Sequence, residues 1–415
     1  PPKIPILHFP HFTKSWDKKI LAKIAKIGDG VHQTPNYIDS GVKFISVEDI
    51  DDFSKSNKFI EKKEYDKYKM KTQKNDIFLT RIGTVGKSNI LKEDTNYAYY
   101  VSLSLIRPNK EINSNYLNQY IKSNIFQREL WKRTLQNASP MKINLIDLKQ
   151  CPVAFPSIKE QEKIGTFLSK IDGKIALMKQ EYKSILNFRS YLIQTLFNND
   201  LDAHKTVLKS VDKISKSENI YEDTSKYHVF KISDLFEFSK GQGLSKEDFT
   251  ENGRYYCILY GELYKYNEII QKIDTKTNSQ EGKIGKYGDI LIPSSNKDKN
   301  NRYVTASVLL EDDVKIGNDI IILKNKRKDL VDEIFFAYYF SNAIKKDIAK
   351  LTQGITITHL YWKDFKDLKI KIPSLETQKI ISEFLLCVED KLVLIKKSIN
   401  LMKTYKQGLL QKMFI

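Results

Sequence analysis

The sequence lacks most of the features that mark a membrane, secreted or metal-dependent protein. No apolar run approaches the ~20 residues of a transmembrane helix, and the first ten residues lack the basic and apolar stretches of a signal peptide. The three cysteines, Cys151, Cys257 and Cys387, form no CxxC pair, which favours a reducing compartment over a disulfide framework. The six histidines include no HExxH motif. We therefore expect a cytoplasmic protein that neither enters a membrane nor binds a metal.

Common catalytic motifs are missing as well. There is no GxGxxG, no helicase ATP site and no Asn-Pro-Pro-aromatic motif of the kind found in adenine methyltransferases. Residues 81–88 (RIGTVGKS) resemble a phosphate loop, but Arg81 stands where GxxxxGK[ST] requires its first glycine. We interpret the glycines as a turn after a strand that presents Lys87 and Ser88 to a phosphate. A nuclease core can hide in a single sequence, so an enzyme with an unrecognised site stays an alternative.

Negative charge is also in short supply. The chain of 415 residues has a formal net charge of +18, of which residues 1–198 carry +13 and residues 199–415 carry +5. Such an excess suggests an anionic partner. The alternative explanation is the lysine-rich usage of an AT-rich genome, and charge alone does not decide between the two.

The most informative feature that is present is a repeat. Residues 156–198 match residues 373–415 without a gap at an offset of 217, so that Gln161 meets Gln378 and Phe197 meets Phe414. The chain therefore consists of two copies of one arrangement, a globular domain followed by a long helix. A duplicated molecule can place two similar surfaces about a pseudo-two-fold axis. Such an arrangement matches the approximate two-fold symmetry of duplex DNA.

Both helical segments carry an apolar seam whose steps alternate between four and three residues. The mean of 3.5 predicts a left-handed supercoil with a partner helix. We expect the two helices to pack on each other in antiparallel fashion; the alternative is that each seam binds another protein. The first seam is Ile164, Leu168, Ile171, Ile175, Met178, Tyr182, Ile185, Arg189, Leu192 and Leu196. The second seam is Ile381, Leu385, Val388, Leu392, Ile395, Ile399, Met402, Lys406, Leu409 and Met413.

A cation interrupts the two seams at the same position, Arg189 in one and Lys406 in the other. A charge in an apolar seam costs stability but can fix the register of the helices. The alternative is that both cations reach water at a frayed end of the helix. The pattern leaves both interpretations open.

The residues before each helix predict a mixed α+β domain. Strand patterns fall at 18–27, 42–47, 75–82 and 99–107, followed by a helix at 115–135. The second copy repeats them at 229–238, 256–260, 289–292 and 318–324, with a helix at 330–350. We therefore expect domains at 1–155 and 227–372, repeat helices at 156–198 and 373–415, and a linker at 199–226. The predicted fold is two α/β domains joined by an antiparallel coiled coil with an internal pseudo-two-fold repeat.

Short sequence motifs recur in the two domains, whereas the loops between these motifs differ. Gly28-Asp29-Gly30 aligns with Gly241-Gln242-Gly243, and Asp76-Ile77 with Asp289-Ile290, at an offset of 213. Residues 83–96 share little with residues 294–302. A shared scaffold with different exposed segments predicts two domains that bind different things.

Polar and basic side chains in these loops are the candidate DNA contacts, because amides and hydroxyls read base edges and cations bind phosphates. The alternative for each is an ordinary solvated loop. In the first domain the candidates are His32, Gln33, Thr34, Arg81, Thr84, Lys87 and Lys142. In the second they are Lys240, Gln242, Ser295, Asn296, Lys297, Lys299, Asn301, Arg302, Thr356 and Thr358.

In the order and spacing of its motifs, the chain resembles the specificity subunits of type I restriction–modification enzymes over nearly its whole length. The second helix entry departs from the pattern with Thr377 where glutamate is usual, and His32 and Thr34 lack clear counterparts in the second domain. The motifs that fit are Phe9-Pro10 through Trp16, Gly30-x-His32-x-Thr34-Pro35, Asp76-Ile77 through Gly86, and Pro156-Ser157 through Ile164.

The resemblance implies a non-catalytic subunit with two target-recognition domains. Each domain would read one half of a split, asymmetric target in double-stranded DNA. The paired helices would set the gap between the halves and dock two modification (adenine methyltransferase) subunits, which restriction (translocase and nuclease) subunits join. This chain would bind no cofactor, whereas the partner subunits would use S-adenosylmethionine, ATP and Mg. A location at the nucleoid of a prokaryotic cytoplasm follows.

Two further alternatives predict different behaviour. A free-standing DNA-binding regulator would bind its site fully without methyltransferase subunits. A coiled-coil adaptor without a DNA role would show no salt-sensitive DNA binding.

Overall fold

The computed structural model describes residues 4–197, 227–296, 304–354 and 357–415. The predicted linker lies outside these ranges, as do the candidates Lys297, Lys299, Asn301, Arg302 and Thr356. The chain forms two compact units, of which the first comprises the residues up to Glu181 together with Ile395–Ile415 and the second comprises Tyr182–Leu394. Within the described residues, no helix is long and apolar enough to cross a membrane.

The first unit combines short strands, short helices and parts of two long helices. Its strands are β1 (Asp17–Ile20), β2 (Ala25–Asp29), β3 (Val42–Ile45), β4 (Lys58–Ile60), β5 (Ile77–Thr80), β6 (Ser88–Ile90), β7 (Tyr97–Tyr99), β8 (Leu103–Pro108) and β9 (Pro152–Phe155). Its α-helices are α1 (Leu21–Ile24), α2 (Lys62–Asp66), α3 (Ser114–Ile121), α4 (Asn124–Arg133), α5 (Leu145–Lys149) and the first part of α6 (Ile158–Phe197).

The second unit repeats this arrangement with additional strands. Its strands are β10 (Tyr227–Lys231), β11 (Phe236–Lys240), β12 (Tyr255–Ile258), β13 (Ile269–Ile270), β14 (Lys276–Thr277), β15 (Lys283–Gly285), β16 (Ile290–Pro293), β17 (Ser295–Asn296), β18 (Ser307–Leu309), β19 (Val314–Ile316), β20 (Ile320–Asn325), β21 (Thr358–His359) and β22 (Lys369–Pro373). Its α-helices are α7 (Ile232–Leu235), α8 (Tyr260–Leu263), α9 (Glu333–Asn342), α10 (Lys345–Leu351), α11 (Trp362–Phe365) and the first part of α12 (Leu375–Lys412).

Each unit is built on the same antiparallel arrangement of four strands. The order is β2-β8-β5-β6 in the first unit, and β11-β20-β16-β18, extended by β13, in the second. A second sheet accompanies each, β4-β3-β7 in one case and β14-β12-β19-β15 in the other. The strand that precedes each long helix pairs with the first strand of the domain, β9 with β1 and β22 with β10. The predicted mixed fold with an internal repeat is confirmed.

Several predicted boundaries are wrong in detail. The single helix predicted at 115–135 is two helices, because Ser123 caps α4 by accepting a hydrogen bond from the backbone N–H of Phe126. The helix predicted at 330–350 is likewise divided into α9 and α10. The continuous strand predicted at 18–27 is interrupted by the helical turn α1, which buries Leu21 and Ile24. Apolar periodicity finds buried stretches better than it finds the turns between them.

The two long helices pack on each other, as the seam predicts. In the first unit Ile164 and Leu168 of α6 share a buried core with Leu409 of α12 and with Met413, which directly follows α12. In the second unit Leu192 and Leu196 of α6 share a core with the early residues of α12, Ile381 and Leu385 among them. Early residues of one helix meet late residues of the other, so the pairing is antiparallel. All twenty predicted seam residues are buried or half-buried, which makes separate partners for the seams unnecessary.

The two seam cations are held by carboxylates of the opposite helix. Lys406 Nζ lies 2.6 Å from the Oδ1 atom of Asp172, and the guanidinium of Arg189 bonds to Glu389. Asp172 and Glu389 are themselves related by the offset of 217, so the same ion pair occurs once in each unit. Neither cation lies at a frayed end, and this outcome favours the register interpretation over the alternative.

The two ion pairs differ in their surroundings. Arg189 also donates to the Glu268 carboxylate at 2.6 Å, and the Tyr338 hydroxyl lies 3.0 Å from Glu389. Burial alone would lower the pKa of the Arg189 guanidinium, but the two glutamates raise it above its ordinary value. Burial alone would raise the pKa of the Asp172 carboxyl, but Lys406 and Lys122 lower it below its ordinary value. In both units the charged form is the stabilised one.

A buried glutamine fastens the start of each long helix to its domain. The Gln161 side chain donates to the carbonyls of Pro156 and Glu111 and accepts from the backbone N–H of Asn113. Gln378 makes the equivalent three bonds in the second unit, with Pro373, Leu330 and Asp332. The repeat seen in the sequence is therefore a repeat of specific contacts.

The end of each long helix completes the core of the domain that belongs to the other repeat. Phe414, two residues beyond the end of α12, packs against Trp16, Tyr116 and Tyr120 of the first unit, with ring centroids 5.4–6.3 Å apart. Phe197 of α6 packs against aromatic residues of α9 in the second unit, Phe335 and Tyr338. The repeats are thus interlocked through their helix ends.

Candidate nucleic-acid interface

Strand order brings two of the candidate loops of the first unit to one edge. β2 and β5 both run antiparallel to β8, and the pairs Asp29–Ser104 and Thr80–Leu103 place their carboxyl ends side by side. The loops that follow these strands therefore leave the sheet at the same edge. They contain the candidates at 32–34 and at 81–87.

A third segment joins this edge through the backbone. The N–H of Ile143 donates to the carbonyl of Arg81 at 2.9 Å, and the N–H of Gly83 donates to the carbonyl of Met141 at 2.8 Å. Lys142 forms bridges to Ile82 and Leu135. Residues 29–34, 81–87 and 139–143, which we call the first loop cluster, therefore form one surface.

The second unit assembles the equivalent cluster. β11 and β16 end beside each other on β20, where Lys240 pairs with Ile321 and Pro293 with Ile320. The N–H of Leu360 donates to the carbonyl of Ser294 at 3.0 Å, and β17 pairs with β21. Residues 240–246, 294–296 and 357–360 form this second loop cluster.

The backbone contacts of the two clusters correspond, whereas their side chains do not. The bridge from Ile82 to Lys142 becomes the strand pair Ser295–His359. The sequence alignment of the glycines is two residues out of register. Strand β2 occupies the same place beside β8 as β11 does beside β20, and the matching residues of β2 and β11 are 211 apart rather than 213. Gly30 then matches Gly241, and a Cβ at either position would lie within 2.0 Å of a backbone carbonyl oxygen. Close backbone approach explains both glycines.

Most candidates of the first cluster have the exposure that a DNA contact needs. Lys87 reaches to within 3.7 Å of the exposed Asp51, and the His32 ring lies 3.3 Å from Asp29. Contact with DNA stays a prediction for them. The exposed candidates are His32, Gln33, Thr34, Thr84, Lys87 and Lys142.

Arg81 differs from this group, and its predicted contact with DNA needs correction. Its side chain is only 8% exposed and donates to the Asp29 carboxylate at 2.9 Å and to the Ile143 carbonyl at 3.2 Å. The guanidinium is used inside the domain and is not presented to a ligand. Sequence alone does not predict this outcome, because an arginine after a strand looks the same whether its side chain points inwards or outwards.

The candidates of the second cluster fall into the same two classes. Lys240 and Gln242 are exposed, with Lys240 3.8 Å from Asp319, and Asn296 and Thr358 are half-buried. Ser295 is buried, and its hydroxyl lies 3.2 Å from the His359 ring. Ser295 is therefore also an internal residue rather than a surface contact.

A cleft of about 850 Å³ opens beside the second loop cluster, and sequence reasoning did not single it out. Aromatic rings and polar groups share its lining, including Tyr260, Tyr264, Lys246, Asn296 and Asn318. The signal that could have marked it is the alternation of tyrosine and polar residues at 260–266. A lining of this kind can stack on a flat ring of a ligand through its tyrosines and bond to the polar edge of that ring through its polar groups.

No cluster of three or more His, Cys, Asp or Glu side chains suited to a metal occurs among residues 4–197, 227–296, 304–354 and 357–415. Cys151 and Cys257 are buried, and burial raises their thiol pKa to about 12 and about 11 respectively. These two thiols are therefore unreactive structural residues at neutral pH.

Known proteins match the chain over both repeats. The family model described as "Type I restriction modification DNA specificity domain" matches twice, at residues 14–187 and 224–403. The putative type I restriction enzyme MjaX specificity subunit of Methanocaldococcus jannaschii is 25% identical over 78% of this chain and 73% of its own length. The EcoBI specificity subunit of Escherichia coli is 33% identical over 36% of this chain and 34% of its own length.

The fold also occurs in a solved structure. The type I restriction–modification system S subunit from M. genitalium superimposes with a TM-score of 0.61 at 18% identity, covering 100% of this chain and 99% of that one. The duplicated family match extends over well more than half of the residues. The chain therefore belongs to the family of type I restriction–modification DNA specificity proteins.

Proposed function

We propose that this chain is the subunit that reads the DNA target of a type I restriction–modification complex, one half of a split target being read by each domain. One observation carries the proposal: the two loop clusters share their backbone contacts but present different side chains. Two different surfaces on one scaffold suit two different half-sites. Family membership favours this function over a free-standing regulator or an adaptor.

The role of the subunit is recognition rather than catalysis. The exposed polar side chains of the loop clusters include amides, hydroxyls, lysines and one imidazole, which suit base edges and phosphates. Methylation, ATP-driven translocation and cleavage would belong to partner subunits that use S-adenosylmethionine, ATP and Mg. The complex would work at the nucleoid of a prokaryotic cytoplasm, where its substrate lies.

The two long helices would serve two purposes. Paired seams of this kind would act as a spacer, which suits a fixed gap between the half-sites. The outer faces of the helices repeat an apolar pattern: Leu177 and Leu394 are 68% and 60% exposed, and Phe188 and Tyr405 follow at the same offset of 217. Two equivalent apolar surfaces would dock two copies of the modification subunit.

The test is a map of methylated adenines in the host genome, with and without this gene. Loss of a gapped, two-part motif on deletion would support the proposal and would reveal the target. A chain with both Leu177→Asp and Leu394→Asp should fail to restore the motif, since neither modification subunit could dock. An unchanged map in cells that express this chain together with a methyltransferase subunit would contradict the recognition role.

A further inference from the structure

Arg81 contacts all parts of the first loop cluster from inside. Its guanidinium donates to the carboxylate of Asp29, where the first segment begins, and to the carbonyl of Ile143 in the third segment. Its own backbone belongs to the second segment, accepting from the N–H of Ile143 and donating to the carbonyl of Ser102. A single buried side chain therefore fixes the spacing of three loops.

The connection extends to an exposed side chain. The Asp29 carboxylate that binds Arg81 lies 3.3 Å from the His32 ring, which is 72% exposed in its side chain. Burial makes the interaction of Arg81 with Asp29 stronger than that of a surface ion pair, and the planar guanidinium gives it a direction. The position of His32, and of Gln33 and Thr34 after it, is therefore linked to Arg81.

The second loop cluster has no arginine at this place. Ser294 makes the equivalent backbone contacts. Its N–H donates to the backbone carbonyl of Asp319, and its carbonyl accepts from the backbone N–H of Leu360. Its neighbour Ser295 instead bonds to His359 and so joins the second segment to the third. Each domain thus holds its loops with its own side chains on a common backbone frame.

We propose that Arg81 is the residue that positions the reading loops of the first domain and thereby sets its base specificity without touching DNA. The inference rests on the proposed recognition function. Discrimination between bases depends on donors and acceptors held to within tenths of an ångström. Loosening the three segments therefore costs discrimination in one half-site and leaves the other half-site alone.

The experiment is the methylated-adenine map in a deletion strain that carries the full-length chain with Arg81→Lys or Arg81→Ala. Lysine keeps the charge but cannot bond to Asp29 and Ile143 in the same planar geometry. We expect the ratio of methylation at the correct sequence to that at single mismatches to fall about ten-fold in one half-site. The other half-site and the gap should be unchanged.

Arg107→Lys is the matched control. Arg107 forms an ion pair with the buried Asp76 in the same domain, at 2.7 Å, but contacts no segment of the first loop cluster through its side chain among the described residues. It should lower the amount of methylation at most, with both half-sites intact. The variant Ser295→Ala should instead relax the half-site that Arg81 variants leave intact.

Three outcomes would overturn the inference. They are unchanged base preference in both Arg81 variants, equal relaxation of both half-sites, and relaxation by Arg107→Lys as large as that by Arg81→Lys. A variant that fails to accumulate is replaced by Asp29→Asn, which keeps the shape of the side chain and removes its charge. Failure of the proposed function would look different. In that case the parent strain, which carries the unchanged chain, would show no two-part methylation motif, and no variant would be needed to see it.

Discussion

Single charged residues inside the seam differ in their predicted effects on stability. Arg189 lies among Glu268, Glu389 and the Tyr338 ring, and both glutamate side chains are almost fully buried. Lys406 has one close ion-pair partner among the residues that the structure describes, Asp172, whose side chain is 38% exposed. The carboxylates that pair with the seam cation are therefore less exposed to solvent in the second unit than in the first.

Replacement of Arg189 by alanine should lower the free energy of unfolding of the second unit by about 3–5 kcal/mol, because two buried carboxylates lose their cation. Lys406→Ala should cost clearly less, since water and Lys122 can still reach Asp172. Native-state hydrogen exchange resolved by unit measures both changes. Equal losses in the two variants would contradict the role assigned to burial.

At this scale the sequence predicts positions better than roles. It identifies Arg189 and Lys406 as the charged members of the seams, but their partners become evident only when the antiparallel pairing sets Glu389 and Asp172 against them. It identifies Arg81 as a candidate, but not the direction of its side chain. Side-chain direction depends on contacts with residues 52 and 62 positions away, which no local pattern encodes.

The long helices are the elements that sequence reasoning describes most accurately. Predicted segments at 156–198 and 373–415 correspond to α6 (Ile158–Phe197) and α12 (Leu375–Lys412). Long periodic segments average over many residues, whereas the short helices α3 and α4 depend on the single cap at Ser123. The glycines at the end of β2 are matched to their repeat two residues out of register, because an inserted pair of residues leaves no mark in a glycine pattern.

A heptad inserted after Gln180 and another after Lys397, positions that match in the two repeats, should lengthen both helices and preserve the seam. Seven residues add about 10.5 Å of helix, which corresponds to at most about 3 base pairs of DNA. The methylated motif should keep its half-sites and gain a longer gap. A changed half-site would count against the helices as a spacer, and insertion of four residues in one helix alone should disrupt the seam and serve as the control.

At the scale of the whole molecule, each domain depends on a helix end supplied by the other repeat. Phe414→Ala should remove about 3–5 kcal/mol from the first unit, because the ring fills a pocket among Trp16, Tyr116 and Tyr120. Phe197→Ala should act on the second unit in the same way. Hydrogen exchange should increase in the paired strands β1 and β9 for Phe414→Ala, and in the paired strands β10 and β22 for Phe197→Ala. An equal increase in both units for either variant would contradict the assignment.

The interlocking was only partly predictable. The match of Phe197 with Phe414 was visible in the sequence, and it showed that both positions matter equally. Which domain each ring enters depends on the antiparallel packing of two helices that are far apart in the chain. Local sequence carries little information about such long-range pairing.

The exchange of helix ends also imposes an order on synthesis. The first domain emerges early from the ribosome, yet Phe414, which closes its core, follows Phe155 at the end of its last strand by 259 residues. At about 5–20 residues per second, the nascent domain waits roughly 13–52 seconds with an aromatic pocket open. During that interval the pocket is exposed to chaperones and to the Phe197 end of a neighbouring nascent chain, so the rate of translation influences how many molecules close on themselves.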